Sequence, residues 1–512
     1  MESNTKKSFY NVITGVLGQV ITIALGILIP KLVLVNLGSE ANGLLNSIAQ
    51  ALGYVGLLEA GVGMASLQAL YGPIANNDRN SINSIMSATH SYYKKTGAFY
   101  FIAVILLAFI YPQVVESSIG RSTMVAVILI SGLPGAINYY LQGKYKILLQ
   151  AEGKSYITTN LATIVSVLTS IGKIILLLLG FGVVAVQLLC SVLSIAQMAY
   201  IYIYIKRHYQ WLDLSTPPAF DKIAQKNSAL LHQVSGLVFN NTDTVLLSVF
   251  CGLSVVSVYS MYTMLFGMVS TLLSNIANGI TFALGQQMYA DMELYKKRQN
   301  IFELIHISLS FSLILVACLF ITPFLKLYTN GITDINYIDA YLPFLFASIY
   351  LLECSRTSSA KTIHVAGHFK QTQSHALIEM LINISVTIPG ILMFGIYGAI
   401  FGTITAMFYR ANVMIIYANK RILNRSPWKT YRRWLINLGM FIIVTLISKR
   451  IFTHIALDTY PRIILWAAIS CVIIVPLFFV VASIFDKETF LAAKEMLSPY
   501  CKKLLSKLHK AH

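Results

Sequence analysis

Along this chain one pattern recurs: a long run of Leu, Ile, Val and Phe, then a short polar break. The runs cover 9–36, 43–71, 97–118, 123–149, 156–179, 183–205, 230–251, 255–285, 302–327, 336–360, 374–395, 398–419, 434–455 and 461–485. Each is near or above the roughly 20 residues a helix needs to cross a bilayer, so the pattern predicts about fourteen transmembrane helices. Barrel strands would alternate apolar and polar positions in segments of about ten residues, and these runs are continuous. The predicted class is an all-α polytopic membrane protein. The opening MESNTKKSFY leads into a run longer than the apolar part of a signal peptide, with no small-residue cleavage pattern. It reads as a retained first spanning helix.

The polar breaks carry the second signal. Lys6 and Lys7, then Arg79, Lys94 and Lys95, then Lys154, then Lys206, Arg207, Lys222 and Lys226 occupy alternate breaks. Lys296, Lys297 and Arg298, then Lys361 and Lys370, then Lys420, Arg421, Arg425, Lys429, Arg432 and Arg433 continue the series. The positive-inside rule places these breaks and both termini in the cytoplasm. Lys449, Arg450 and Arg462 oppose the rule for the last two helices.

The halves of the chain also match each other. Gly38 pairs with Gly252, Leu70 with Leu284, Gly153 with Gly367, and Lys206-Arg207 with Lys420-Arg421, an offset of about 214 residues that marks an internal repeat. The expected organisation is a first lobe of six helices (1–210), a cytoplasmic linker (211–229) and a second six-helix lobe (230–422). Two extra helices (423–485) and a tail (486–512) follow. The tail sets Leu491, Leu497, Leu504, Leu505 and Leu508 among lysines, and reads as a basic amphipathic helix on the membrane surface or as a solvated segment.

Composition agrees with a lipid environment. Hydrophobic residues make up 56% of the 512 and charged residues 11%, against roughly a quarter charged in soluble domains. The net charge of +18 sits between apolar runs and not on one polar domain, which fits an anionic membrane face and not nucleic acid. The six cysteines are scattered without CxxC or Cys/His spacing, so neither a disulfide framework nor a metal site is expected, and no cofactor.

The segments VNLGSEANGLLNSIAQ (35–50), LLEAGVGMASLQALYGP (57–73) and NTDTVLLSVFCGLSVVSVYSMYTMLF (241–266) resemble the polysaccharide-transport (Wzx-type) flippases. These belong to the multidrug/oligosaccharidyl-lipid/polysaccharide (MOP) exporter superfamily. The resemblance implies a MATE-like arrangement of two pseudo-symmetric lobes around an alternating cleft. It also implies transfer of undecaprenyl-diphosphate-linked oligosaccharide to the outer leaflet of a bacterial cytoplasmic membrane, for capsule or surface polysaccharide, driven by H+ or Na+. Membrane lipids and polysaccharide polymerase machinery are the implied partners.

Ionisable residues inside the runs are the candidate site, because a charge at mid-membrane costs at least about 2.5–3.5 kcal/mol unless it is partnered or wetted. Glu59 lies about 24 Å along its helix from Gly43 at 1.5 Å per residue, and is either an ion-coupling carboxylate or a neutral packing group. Asp243, with Asn240 one turn before it, is the second coupling candidate. Lys31 falls near the repeat equivalent of Asp243 and is offered as its cross-cleft partner, or as a residue reaching outward. Arg410 lies roughly 15 Å from Lys420, deep enough to grip a diphosphate bidentately. Arg356 has Glu353 one turn earlier as a neutralising partner, and Glu379 is expected to be solvated near the cytoplasm. Gln19, Asn275 and Asn278 could meet sugar hydroxyls or bind neighbouring helices.

Two rival functions remain. A MATE-like cation-coupled exporter of small molecules would favour acidic over basic residues in its cleft. A membrane-embedded polysaccharide polymerase would carry a large outer loop, whereas the longest polar stretch here is 206–229. His364 and His368 have i,i+4 spacing without the Glu of a zinc-protease motif, and no nucleotide-binding loop occurs. The chain is not expected to be an enzyme.

Overall fold

The apolar runs fold as helices because, with no water to satisfy backbone groups, a lipid-facing segment must bond internally. The computed structural model describes residues 4–56, 62–223, 242–452 and 455–495. In chain order the helices are α1 (Asn4–Gly56), α2 (Val62–Ala75), α3 (Arg79–Val114), α4 (Arg121–Leu141), α5 (Gly143–Ala151), α6 (Ser155–Leu178), α7 (Val183–His208), α8 (242–250), α9 (Leu253–Ala290), α10 (Met292–Tyr328), α11 (Leu342–Val365), α12 (Phe369–Phe394), α13 (Ile396–Tyr417), α14 (Trp428–Phe452), α15 (Tyr460–Phe485) and α16 (487–495). Among the described residues ten helices are long and apolar enough to span a membrane. Large apolar side chains stand exposed along them, such as Phe99, Phe109, Leu178, Phe408, Leu446 and Val472. Lipid is the solvent that tolerates such a surface. The chain is a multi-pass membrane protein, and no strand occurs among the described residues.

Two predicted boundaries shift. The runs 9–36 and 43–71 begin as one 53-residue stretch, α1, divided at Gly38 (φ 83°, ψ 174°). A residue with a Cβ is strained at that φ. Asp334 caps the break, accepting from the Ser39 amide at 2.8 Å and the Ser39 hydroxyl at 2.7 Å. The run 123–149 divides at Gln142 into α4 and α5.

The repeat is visible in the backbone. Gly38 and Gly252 have φ of 83° and 84°, and Gly153 and Gly367 have φ of 72° and 71°. Asp78 caps α3 through the Ser81 amide, and Asp291 caps α10 through the Leu294 amide. Equivalent turns therefore end and begin equivalent helices.

The residues gather into two compact units. One comprises Met1–Ser260 with Gly331–Asn336 and Ile391–Ile396; the other comprises Met261–Asn330, Tyr337–Gly390 and Tyr397–His512. Within the first, α3 packs on α4 and α4 on α7. Tyr93, Tyr100 and Tyr139 form its aromatic centre. Residue 43 must be small, since a Cβ there would lie 1.8 Å from the Leu253 carbonyl oxygen.

Within the second unit, α10 is the central helix, packed on α11, α14 and α15. Glu303 on α10 is fully buried, at 1% exposure. Arg425 donates to its Oε2 at 2.5 Å, Thr430 to its Oε1 at 2.7 Å, and the Arg433 guanidinium lies 3.1 Å away. Arg433 continues to Asp486 at 2.6 Å. This chain of charges fastens α14 and the end of α15 to α10. Helices α12 and α13 cross closely: a Cβ at Gly402 would lie 2.1 Å from Thr387 Oγ1, and one at Gly390 would lie 2.9 Å from the Gly398 carbonyl oxygen.

Two outcomes are expected. Gly402→Val should cost about 1–3 kcal/mol by overpacking, read by unfolding in detergent. Gly439→Ala, where a Cβ meets nothing within 4 Å, should be neutral; equal melting of the two variants would contradict the tight crossing. The second outcome concerns Asp486. Burial raises its pKa, but the Arg433 guanidinium and hydrogen bonds outweigh this and hold it below its ordinary value of 3.8. A depressed carboxyl stabilises the fold fully above its unfolded pKa and loses that contribution as pH falls through the folded one. Melting of the wild type should therefore fall below about pH 4 by more than that of Asp486→Asn.

Candidate functional site

Three charged side chains meet inside the second unit. Glu379 on α12 is 7% exposed and Arg410 on α13 is 5% exposed. Arg356 on α11 donates Nη1 to Glu379 Oε1 at 2.9 Å. Arg410 Nε lies 3.5 Å from Glu379 Oε2, and its Nη1 donates to the Thr372 carbonyl at 3.0 Å. Two guanidiniums thus share one carboxylate, which leaves the cluster with an excess positive charge, because arginine keeps its proton in proteins.

The helices set this meeting by register. Arg356 lies nine residues before the end of α11 at Val365, and Glu379 ten residues after the start of α12 at Phe369. Arg410 lies ten before Lys420. At 1.5 Å per residue each is about 14–15 Å from the Lys/Arg-rich end. They therefore occupy one layer.

Glu379 sits in a stripe. His368, Thr372, His375, Glu379, Asn383 and Thr387 follow one another at intervals of four, three, four, four and four along α12 and the residue before it, which is one helical face. His368 Nδ1 lies 3.1 Å from the Tyr417 hydroxyl, His375 Nδ1 lies 2.9 Å from the Tyr409 hydroxyl, and Asn383 Nδ2 donates to Thr403 Oγ1 at 3.1 Å. Most of α12's polar face is spent on α13.

Two expectations are corrected. Glu379 is not solvated: α12 begins five residues earlier than the run 374–395 suggested, which moves the carboxyl a turn and more into the membrane. Glu353 does not neutralise Arg356; its Oε2 accepts from Ser270 at 3.0 Å, and Arg356 turns instead to Glu379. A fixed interval from each basic break would have placed Arg356, Glu379 and Arg410 together.

The remaining candidates are elsewhere. In the first unit Asp243 is buried and accepts from the Tyr259 hydroxyl at 3.0 Å, and the neighbouring Thr242 meets Tyr54. Lys31 is half-buried. Asn42 Nδ2 donates to Ser257 Oγ at 2.8 Å, a polar α1–α9 link that the sequence reading passed over. Asn275 on α9 is exposed, and Asn278 accepts from Lys361. Glu59 and Asn240 lie outside the described residues, as does the side chain of Gln19 in α1.

Removal of the shared carboxylate gives a direct test. Glu379→Ala leaves the buried Arg410 guanidinium without its carboxylate beside the half-buried Arg356 and should cost about 3–5 kcal/mol. Adding Arg410→Leu should restore part of that loss. A Glu379→Ala protein that melts like the wild type would show that the carboxylate does not hold the arginines.

No family model matches the sequence, and no curated protein matches it. Solved structures do. An inward-facing multidrug resistance MATE family transporter of the MOP superfamily aligns at a TM-score of 0.62 and 15% identity, covering 78% of this chain and 94% of its own. The lipid II flippase MurJ, in an inward closed conformation, aligns at 0.63 and 14% identity, covering 93% of this chain and 100% of its own. An outward-facing MATE family transporter aligns at 0.53 and 16% identity, covering 79% and 94%. The helices of this chain are thus laid out as in these MATE transporters and the MurJ flippase, whose fold it shares.

Proposed function

We propose that this protein is a flippase that carries undecaprenyl-diphosphate-linked oligosaccharide from the inner to the outer leaflet of a bacterial cytoplasmic membrane, for capsule or surface polysaccharide. The observation that carries this reading is the buried Arg410 and the half-buried Arg356 sharing the buried Glu379. A diphosphate offers several oxygens to guanidinium forks and can take the place of the single carboxylate. Removing one partner from a buried charge group is costly unless another anion replaces it, so a cluster with excess positive charge favours an anionic load. A cationic drug would meet repulsion there. The extent of the likeness to the lipid II flippase, over 93% of this chain, supports the same side.

In this reading the Lys/Arg-rich breaks and both termini face the cytoplasm. Alternating access moves the cluster between a state closed on Glu379 and a state open to the headgroup. Glu59 and Asp243 are the carboxylates assigned to H+ or Na+ coupling. Lys31, Asn240, Gln19 and Asn275 are the polar groups assigned to the headgroup and sugar. Polysaccharide polymerase machinery is the proposed consumer of the product. A MATE-like exporter is the second reading, favoured by the match to those transporters at a TM-score of 0.62.

Vesicles containing the protein, labelled undecaprenyl-diphosphate oligosaccharide and an imposed H+ or Na+ gradient decide between them. Lipid should cross in the wild type. Arg410→Gln should lower the rate by roughly 10- to 100-fold, the loss of a charge-assisted bond of about 1.5–3 kcal/mol. Uptake of a cationic dye with no movement of lipid would establish the exporter instead.

A further inference from the structure

A second basic site lies at the start of α14, independent of the flippase reading. A pocket of about 310 Å³ is bounded by Ser426, Trp428, Lys429, Arg432, Arg433 and Asn437, within the size range of small-molecule sites. Asp486 and Glu488 close its other side. We propose that this pocket binds the phosphate headgroup of an anionic membrane lipid.

Its cations differ in how fully they are used. Arg433 is buried and engaged by Glu303 and Asp486, so it forms a fixed floor. Arg432 is exposed, donates to the carbonyl of Phe485, and has no acidic partner among the described ion pairs. Lys429 pairs with Glu488 at 3.6 Å, and that carboxylate is 90% exposed, while the Lys429 charge also acts on Asp486 across the pocket. A solvated pair of this kind is worth little and yields readily to a better anion. Lys429 and Arg432 are therefore held at one mouth with charge to spare, and the Ser426 hydroxyl stands beside them as a neutral donor.

The surroundings select a lipid over a soluble anion. Trp428 is 61% exposed on the rim, as interfacial tryptophans are. Below the pocket, α14 presents Leu435, Ile442 and Leu446 exposed, and α15 presents Ile484 and Phe485 exposed, a lipid-facing surface along which acyl chains can run. Basic pockets between transmembrane helices hold phosphate headgroups in this manner. A wider recess of about 660 Å³ adjoins the pocket, sharing Lys429 and Glu488 and adding Lys296, Lys297 and Arg425. It gives a larger headgroup room to extend.

Native mass spectrometry of the purified full chain, delipidated in mild detergent, tests the proposal. The protein is titrated with dioleoyl phosphatidylglycerol and with dioleoyl phosphatidylcholine. The wild type should retain one phosphatidylglycerol at concentrations where phosphatidylcholine is lost. Lys429→Gln with Arg432→Gln should weaken that retention by roughly 10- to 30-fold, as expected for two lost cations, and Lys429→Gln alone should weaken it partly should the double variant fold poorly. Lys420→Gln with Arg421→Gln removes two exposed cations outside the pocket and should leave it unchanged. Equal loss in the pocket and control variants, undiminished retention in the pocket variant, or equal retention of both lipids would each overturn the site. Displacement by inorganic phosphate would overturn the lipid assignment. Preferential retention of a polyprenyl diphosphate would keep the phosphate site and assign it to a carrier lipid.

Discussion

A charge taken into lipid must bring its counter-charge with it, and the second unit is organised around two carboxylates that obey this constraint. Glu303 and Glu379 are both buried, and each is shared by two arginines from other segments of the chain. Desolvation of an ion is so costly that such groups persist only where geometry and extra hydrogen bonds satisfy them. Glu303 meets this with Arg425, Arg433 and Thr430 around it, and the result is a joint between α10, α14 and the end of α15. Glu379 is less completely surrounded, since Arg410 Nε stands 3.5 Å from its oxygen. The first carboxylate is a fastener, and the second is the one the proposed function treats as exchanging its partner.

The same principle separates what the sequence discloses from what it conceals. Helices are legible because lipid imposes a length of about 20 apolar residues on each, whatever its neighbours do. Gly38 and Gly252 are legible as matching turns, since a left-handed backbone demands glycine at both. Glu303 was not legible. It opens an apolar run that seemed to begin at residue 302, and its partner Arg425 is 122 positions away, so its depth and its neutralisation both depend on pairings no local window contains. Glu379 was misread for a smaller reason: a polar first turn hides the true start of α12. The stripe of His368, Thr372, His375, Glu379, Asn383 and Thr387 was available as a period, yet it lies within an otherwise apolar helix and draws little notice.

The cations that opposed the loop rule have local explanations. Arg462 pairs with Asp458 at 2.6 Å, and Lys449 lies 4.8 Å over the ring of Phe344. Neither stands as a bare charge.

The layer formed by Arg356, Glu379 and Arg410 has an electrical consequence. With two cations and one anion it holds an uncompensated positive charge within the thickness of the bilayer. Any rearrangement that shifts this layer along the membrane normal does work against the membrane potential, up to about 2.3 kcal/mol per unit charge for a full crossing at 100 mV. Under the proposed flippase reading, the resting voltage would bias which conformation the empty protein adopts, and a bound anion would weaken or reverse that bias.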